Sequence, residues 1–169
     1  MEDAINYYPD GVARVLRLLK ETFGEDFTYY DDDIGDVPEK SLPCIMVREG
    51  TGSINANASG TDLLREQIVI TVSYNTKDDL RADQSQDLTG AKLRRIVKGQ
   101  YPDGHARAGY YMDKTIMAVL RKHYTLDDAV IENTIETDFD VAQRGANTYT
   151  KEAYITLTIG RRALVPARD

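Results

Sequence analysis

The sequence predicts a single α+β domain in which a mainly antiparallel sheet is packed by two or three helices. Three observations carry that prediction. Two stretches alternate apolar and polar residues with the period of a half-buried strand: Leu64, Ile68, Ile70, Val72 and Tyr74 in one, Ala153, Ile155, Leu157 and Ile159 in the other. Three further stretches repeat apolar residues every three or four positions, as helices with one buried stripe do. The 169 residues also suit one domain, which at this size buries about two thirds of the surface its unfolded chain exposes.

The first element is a helix over residues 9–23. Pro9 fits a first turn, Val12, Val15, Leu16, Leu19 and Phe23 form the stripe, and Gly24 stops it. A short strand over 27–30 precedes an acidic, turn-rich connection. Its Asp31, Asp32 and Asp33 invite a hard cation, but they lack the alternating spacing and glycine of a calcium loop, so a solvated loop is expected.

Residues 43–75 read as two strands joined by a long polar connection. Between the apolar run from Cys44 to Val47 and the alternating strand lie residues 50–61, with Thr51, Ser53, Asn55 and Asn57 polar and Ile54 the single apolar anchor. A hairpin turns in far fewer residues. The surplus is expected to form an arm on the sheet that contacts a partner, the alternative being a simple loop tip.

Thr76 and Asp79 resemble a capping box, and Leu88, Ala91, Leu93, Ile96 and Val97 mark an amphipathic helix ended by Gly99. Gly90 weakens its middle, which allows a start near Ser85. The tetrapeptide from Tyr101 to Gly104 repeats that from Tyr8 to Gly11, two turns of the same chemistry. A third helix is expected over 113–124, with Met112, Ile116, Val119, Leu120 and His123 on one side, so that His123 packs or caps; His105 stands in a glycine-rich turn with no evident partner. The last forty residues predict a strand pair turning at 144–148. Its first strand sends Ile131, Ile135, Phe139 and Val141 one way and Glu132, Glu136, Asp138 and Asp140 the other.

Charge and composition exclude some functions. A net charge of -7 and a pI near 4.9 oppose free nucleic acid or an anionic membrane as the main partner. Cys44 is alone, which rules out an internal disulfide and a cysteine-rich zinc site and suits a reducing compartment. The first ten residues have neither the basic start nor the apolar core of a signal peptide, and no run is long and apolar enough for a membrane helix. The Asn57-Ala58-Ser59 sequon is therefore expected to stay unglycosylated. Gly50-Thr51-Gly52 matches neither a dinucleotide fingerprint nor a P-loop, and neither a nucleophile with a base nor a metal-ligand spacing stands out. The expectation is a protein without catalytic residues, metal or cofactor. The acidic face of the 131–141 strand has three readings, taken in order: a solvated sheet face, the lining of a channel through an oligomer, or a metal site.

In order and type of elements the chain resembles the tail terminator (tail completion) proteins of tailed bacteriophages. The residues that carry the resemblance are the opening helix over 12–19, the run Leu42-Pro43-Cys44-Ile45-Met46-Val47, the strand over 67–74 and the strand over 149–159. The resemblance covers most of the chain as an order of elements. It implies a homo-oligomer, a hexameric ring that caps the tail tube protein, halts its polymerisation and presents its other face to the neck, or head-completion, proteins, with DNA passing through unbound. Such a subunit is made in the host cytoplasm, ends in the virion, and needs no cofactor. The arm would reach a neighbouring subunit or the tube end, Glu132, Glu136, Asp138 and Asp140 would border the channel, and Tyr7, Tyr8, Tyr110, Tyr111 and Tyr154 would serve as interface aromatics. Residues 101–111 have no role in that scheme. A neck adaptor or stopper is the alternative within the same class, and a small carboxylate- or metal-dependent hydrolase the alternative outside it.

Overall fold

The computed structural model describes residues 10–57, 60–81, 87–126 and 128–167. In chain order the elements are α1 (Gly11–Phe23), β1 (Thr28–Tyr30), β2 (Cys44–Asn57), β3 (Thr61–Asn75), α2 (Lys77–Arg81), α3 (Thr89–Lys98), α4 (Ile116–Lys122), β4 (Val130–Ile131), β5 (Glu136–Gln143) and β6 (Tyr149–Leu164). The two alternating strands, β3 and β6, lie side by side at the centre, antiparallel from Thr61 opposite Leu164 to Asn75 opposite Thr150. The two predicted strand pairs thus share one sheet. Its order is β1, β2, β3, β6, with β4 and β5 both along the far side of β6; only β1 with β2 is parallel.

Register explains the core. Ile45, Val72 and Ala153 stand abreast, as do Val47, Ile70 and Ile155, and all are buried. Onto this face pack Leu19 and Phe23 of α1, Leu93 and Val97 of α3, and Ile116 and Leu120 of α4. Each such side chain contributes about 1.5–3 kcal/mol on leaving water, so the alternating strands and the helical stripes specify one another. Among the described residues the opposite face carries no α-helix. At one end it is covered by the 31–43 connection, where Val37 packs on Cys44 and Met46 beside Ile34 and Leu42.

Several elements differ from the sequence expectation. The helix expected over 9–23 begins at Gly11, with Asp10 as its cap: Oδ1 accepts the Ala13 N–H at 2.8 Å. Pro9 lies outside the described residues. Residues 76–99, read as one helix with a possible start near Ser85, form two, α2 and α3, and the capping box does not form. Thr76 instead donates its hydroxyl to the Tyr149 carbonyl at 3.0 Å, and Asp79 turns to the start of α3, accepting the Thr89 N–H at 2.7 Å and hydroxyl at 2.8 Å. Ser85, the suggested start, lies outside the described residues. The third helix is shorter than 113–124 and is capped by Thr115, whose hydroxyl oxygen accepts the Ala118 N–H at 3.2 Å. His123 closes it through its backbone N–H on Val119, and its side chain is exposed rather than packed.

The acidic strand is interrupted. Ile131 pairs with Ile159 and Glu136 with Thr156, so residues 132–135 stand opposite residues 157–158 and bulge. The two extra residues keep the period of two, so the expected common apolar face survives the break. Ile131 is buried and Ile135 and Phe139 are half-buried against the core, whereas Val141 is 58% exposed.

The largest correction concerns the connection between the first two long strands. It is strand rather than loop: β2 continues to Asn57 and β3 begins at Thr61. Ser53 pairs with Arg65, Ile54 with Leu64, Asn55 with Leu63 and Asn57 with Thr61, and β6 continues the pairing on the other side of β3. Among the described residues no helix is long and apolar enough to cross a membrane.

Candidate functional site

The arm is a three-stranded extension of the sheet, built by residues 52–57, 61–66 and 159–164. Thr51, Ser53, Ile54, Asn55 and Asn57 are all exposed, Ile54 at 71%. A β-bulge between Glu49 and Gly52 sits at its root, where the Thr51 N–H donates to Gln67 Oε1 at 3.3 Å. A Cβ on Gly52 would lie 2.8 Å from the Arg65 carbonyl oxygen, closer than side chains tolerate, so glycine permits the approach of the two strands. The outer edge of β2 beyond Met46 has no strand partner among the described residues.

The predicted acidic residues fall into two groups. Glu132, in the bulge, is held by Arg65 from across β6: Nε donates to Oε1 at 2.7 Å and Nη2 to Oε2 at 2.9 Å. Those hydrogen bonds hold its carboxyl below the usual range. Glu136, Asp138 and Asp140 are exposed on β5, opposite Thr156, Tyr154 and Glu152, and so face the helix-free side. Asp138 and Asp140 each accept the N–H of the following residue, at 2.9 and 2.8 Å.

The aromatic candidates also separate. Tyr7 and Tyr8 lie outside the described residues. Tyr110 is 66% exposed, while Tyr111 is half-buried against the core. Tyr154 is half-buried, and its hydroxyl donates to Glu152 Oε1 at 2.6 Å, so its polar end is engaged within the chain. Burial and that bond push its phenol upward.

Sequence reasoning missed the most connected polar group. Glu152, fully buried on the helix-free face, accepts from Arg144 Nε at 2.9 Å and Nη2 at 2.7 Å, from Ser73 at 2.6 Å and from Thr150 at 2.8 Å, besides Tyr154. Burial alone would raise its carboxyl, but the bonds from Arg144, Ser73, Tyr154 and Thr150 outweigh it and hold the acid below the ordinary range. Arg144 also reaches Asp33 and donates to the Ile34 carbonyl at 3.0 Å, tying the 31–43 connection to the sheet. Asp33 is therefore an ion-pair partner, unlike the solvated loop residue expected. Beside this cluster burial, with Glu152 next in effect, pushes the Cys44 thiol up to about 11, which makes it a poor nucleophile. The available signal was composition: Cys44, Thr71, Ser73 and Thr150 are small for a solvated sheet face.

In chemical terms Glu152 is enclosed and fully bonded, so it braces the fold and does not present itself to a substrate. Among the described residues no group of three or more His, Cys, Asp or Glu side chains is placed to hold a metal ion. A cleft of about 730 Å³ between α1 and the root of the arm mixes Arg17, Lys20 and Arg48 with Glu21, Asp31 and Glu49. His105 stacks on Tyr101, ring centres 4.3 Å apart. No protein-family model matches the chain, and no curated protein matches it closely enough to mark a relative.

Proposed function

We propose that the chain is a structural virion protein, a ring-forming tail terminator that caps a phage tail tube, stops its growth and joins it to the neck. The observation that carries this reading is the arm. Strands of 14 and 16 residues run on past the helical layer and leave Ile54, Leu63 and Leu164 exposed. An ordered sheet that buries little within its own chain suits a surface completed by another molecule. On this reading Thr51, Ser53, Ile54, Asn55 and Asn57 contact a neighbouring subunit or the tube end. Glu136, Asp138 and Asp140 face the DNA path, where like charge lets phosphates slide past. Capping then follows from surface asymmetry: one ring face binds the tube and the other lacks the surface that would accept another tube subunit. A neck adaptor or stopper is the second reading, because an exposed arm serves it equally.

Purified chain mixed with tail tubes and imaged by negative stain tests the proposal. Rings seated on tube ends are expected. A chain that remains monomeric and leaves tube ends bare refutes it. Deletion of residues 52–59 is expected to leave the far-UV spectrum and cooperative melting in place while abolishing capping.

A further inference from the structure

Charge is distributed unevenly along this acidic chain. Residues 87–123 carry Lys92, Arg94, Arg95, Lys98, Arg107, Lys114, Arg121 and Lys122 against Asp87, Asp103 and Asp113, a net of +5 in a chain of net -7. The fold gathers them, because α3 and α4 lie against each other and the loop between them folds back into a closed knob. The Tyr101 N–H donates to the Tyr110 carbonyl at 2.9 Å, the Gly109 N–H to the Tyr101 carbonyl at 3.0 Å, and the Met112 N–H to the Gly99 carbonyl at 2.8 Å. Within the knob the Arg107 guanidinium sits 5.1 Å from the Tyr101 ring centre and 5.9 Å from that of Tyr110. Arginine and tyrosine fixed together in advance are the usual anchors of a protein contact, since little entropy remains to be lost on binding.

The knob separates two clefts. One, of about 460 Å³, includes Lys92, Arg95 and Lys114 in its wall; the other, of about 410 Å³, includes Arg107, Arg121 and Lys122. Internal neutralisation is partial. Asp113 takes Arg107 at 3.0 Å and lies within the field of Lys122, and Asp87 takes Arg95, while Lys92, Arg94 and Lys114 have no carboxylate partner among the described residues.

A row of cations on either side of a rigid ridge fits an extended segment with carboxylates at alternate positions, which a strand spaces about 7 Å apart. β5 is such a segment. It lies at the sheet edge, and Glu136, Asp138 and Asp140 stand exposed on one side of it without a cation partner among the described residues. These acids face the helix-free side of the sheet and the cations the helical side; within one copy Arg94 and Asp140 line a common cleft, while Lys92 and Lys114 are left to meet the acids of another copy. We infer that the basic face of α3, the knob and α4 docks the acidic edge strand β5 of a second copy. Every copy carries both surfaces, so the contact is head-to-tail, the type that closes a ring. The inference rests on the ring reading, moves Glu136, Asp138 and Asp140 from the DNA path to the contact between copies, and names the surfaces that make the ring.

The test is sedimentation of the full chain with paired charge reversals. One variant carries Lys92→Glu, Lys114→Glu and Lys122→Glu, a second Glu136→Lys, Asp138→Lys and Asp140→Lys, and a third all six. Each single set is expected to weaken self-association about tenfold or more, the combined set to recover it, and wild-type association to weaken as salt rises above the range where exposed charges are screened. Thermal melting checks folding, and Lys→Gln and Asp→Asn neutralisations replace any reversal that fails to fold. Wild-type assembly that ignores both sets and salt, or a combined set no better than either alone, overturns the inference and leaves the ring reading standing. Wild-type chain that is monomeric throughout overturns the inference, and the ring reading falls with it only if tube ends also stay bare. Binding of a short DNA duplex in place of self-association, lost with the lysine reversals, overturns the inference in favour of a nucleic-acid face.

Discussion

Replacing Glu152 with alanine is expected to be the most damaging single change on the helix-free face. The substitution removes one carboxylate and the acceptor for Arg144, Ser73, Thr150 and Tyr154 together. Arg144, itself only 9% exposed, then keeps Asp33 and the Ile34 carbonyl but loses its buried counter-charge. Removing one partner of a buried ion pair costs about 3–5 kcal/mol, and the remaining Asp33 contact places the variant toward the lower end. For a domain of this size each kcal/mol lowers the melting temperature by about 2–4 °C, so a fall of about 6–20 °C is expected. Urea unfolding followed by circular dichroism measures the change as a lower midpoint at similar slope. The companion variant Arg144→Met with Glu152→Met removes both charges and fills the space; it is expected to stay within about 1–2 kcal/mol of wild type, because two buried charges contribute little net once both are gone. A loss below about 1 kcal/mol for the alanine variant, or a methionine pair as unstable as the single change, refutes this account of the cluster.

Three other outcomes follow from the same structure. Because the folded Glu152 carboxyl is depressed, the unfolded state binds its proton first; the stabilisation is complete above the unfolded glutamate pKa of about 4.3 and is lost as pH falls through the lower folded value, so wild type is expected to lose stability in acid more steeply than Glu152→Gln in paired melts. Asp79→Ala removes the carboxylate at the start of α3 and its 2.8 Å contact with Lys151, and is expected to cost about 1–2 kcal/mol by chemical denaturation. Arg65→Ala is expected to return the Glu132 carboxyl upward to the ordinary range in an NMR titration, since the hydrogen bonds from Arg65 are what hold it down.

The central strands were legible because one of their faces is apolar and buried. Ile68, Ile70 and Val72, and Ile155, Leu157 and Ile159, carry the pattern that burial writes into a strand. The outer strand of the arm was illegible for the converse reason: with neither face of residues 52–57 buried, Ser53, Asn55 and Asn57 are held, among the described residues, by backbone pairing, and composition favours a loop reading. The split between α2 and α3 turns on Asp79, whose partners Thr89 and Lys151 lie 10 and 72 residues away and are invisible to local spacing. Arg14 shows the same limit within a correctly expected helix. It is buried, donating to the Leu126 carbonyl at 2.9 Å and pairing with Asp128, although an arginine beside an apolar stripe reads as solvated. Polar residues brought together by long-range pairing leave no periodicity, so the Arg144–Glu152 brace and the candidate docking knob both had to be found in three dimensions.

Finding strand where loop was expected changes what the arm can do in assembly. A flexible loop of that length would lose backbone freedom on contact, at about 1–2 kcal/mol for each residue ordered. The arm has already met that cost, because residues 52–57 pair with residues 61–66 and these in turn with residues 159–164. Its orientation is fixed by the same β3 and β6 that form the centre of the core, and the Gly52 approach at its root keeps the pairing close. Contacts made by Ile54 or Leu63 therefore act through a rigid lever continuous with the sheet, and small surfaces suffice to hold a neighbour in register. On the proposed ring reading, rigid arms and a head-to-tail charge contact are complementary: the charges on α3, α4 and β5 would bring copies together over a Debye length, and the arm would define the angle at which they stop.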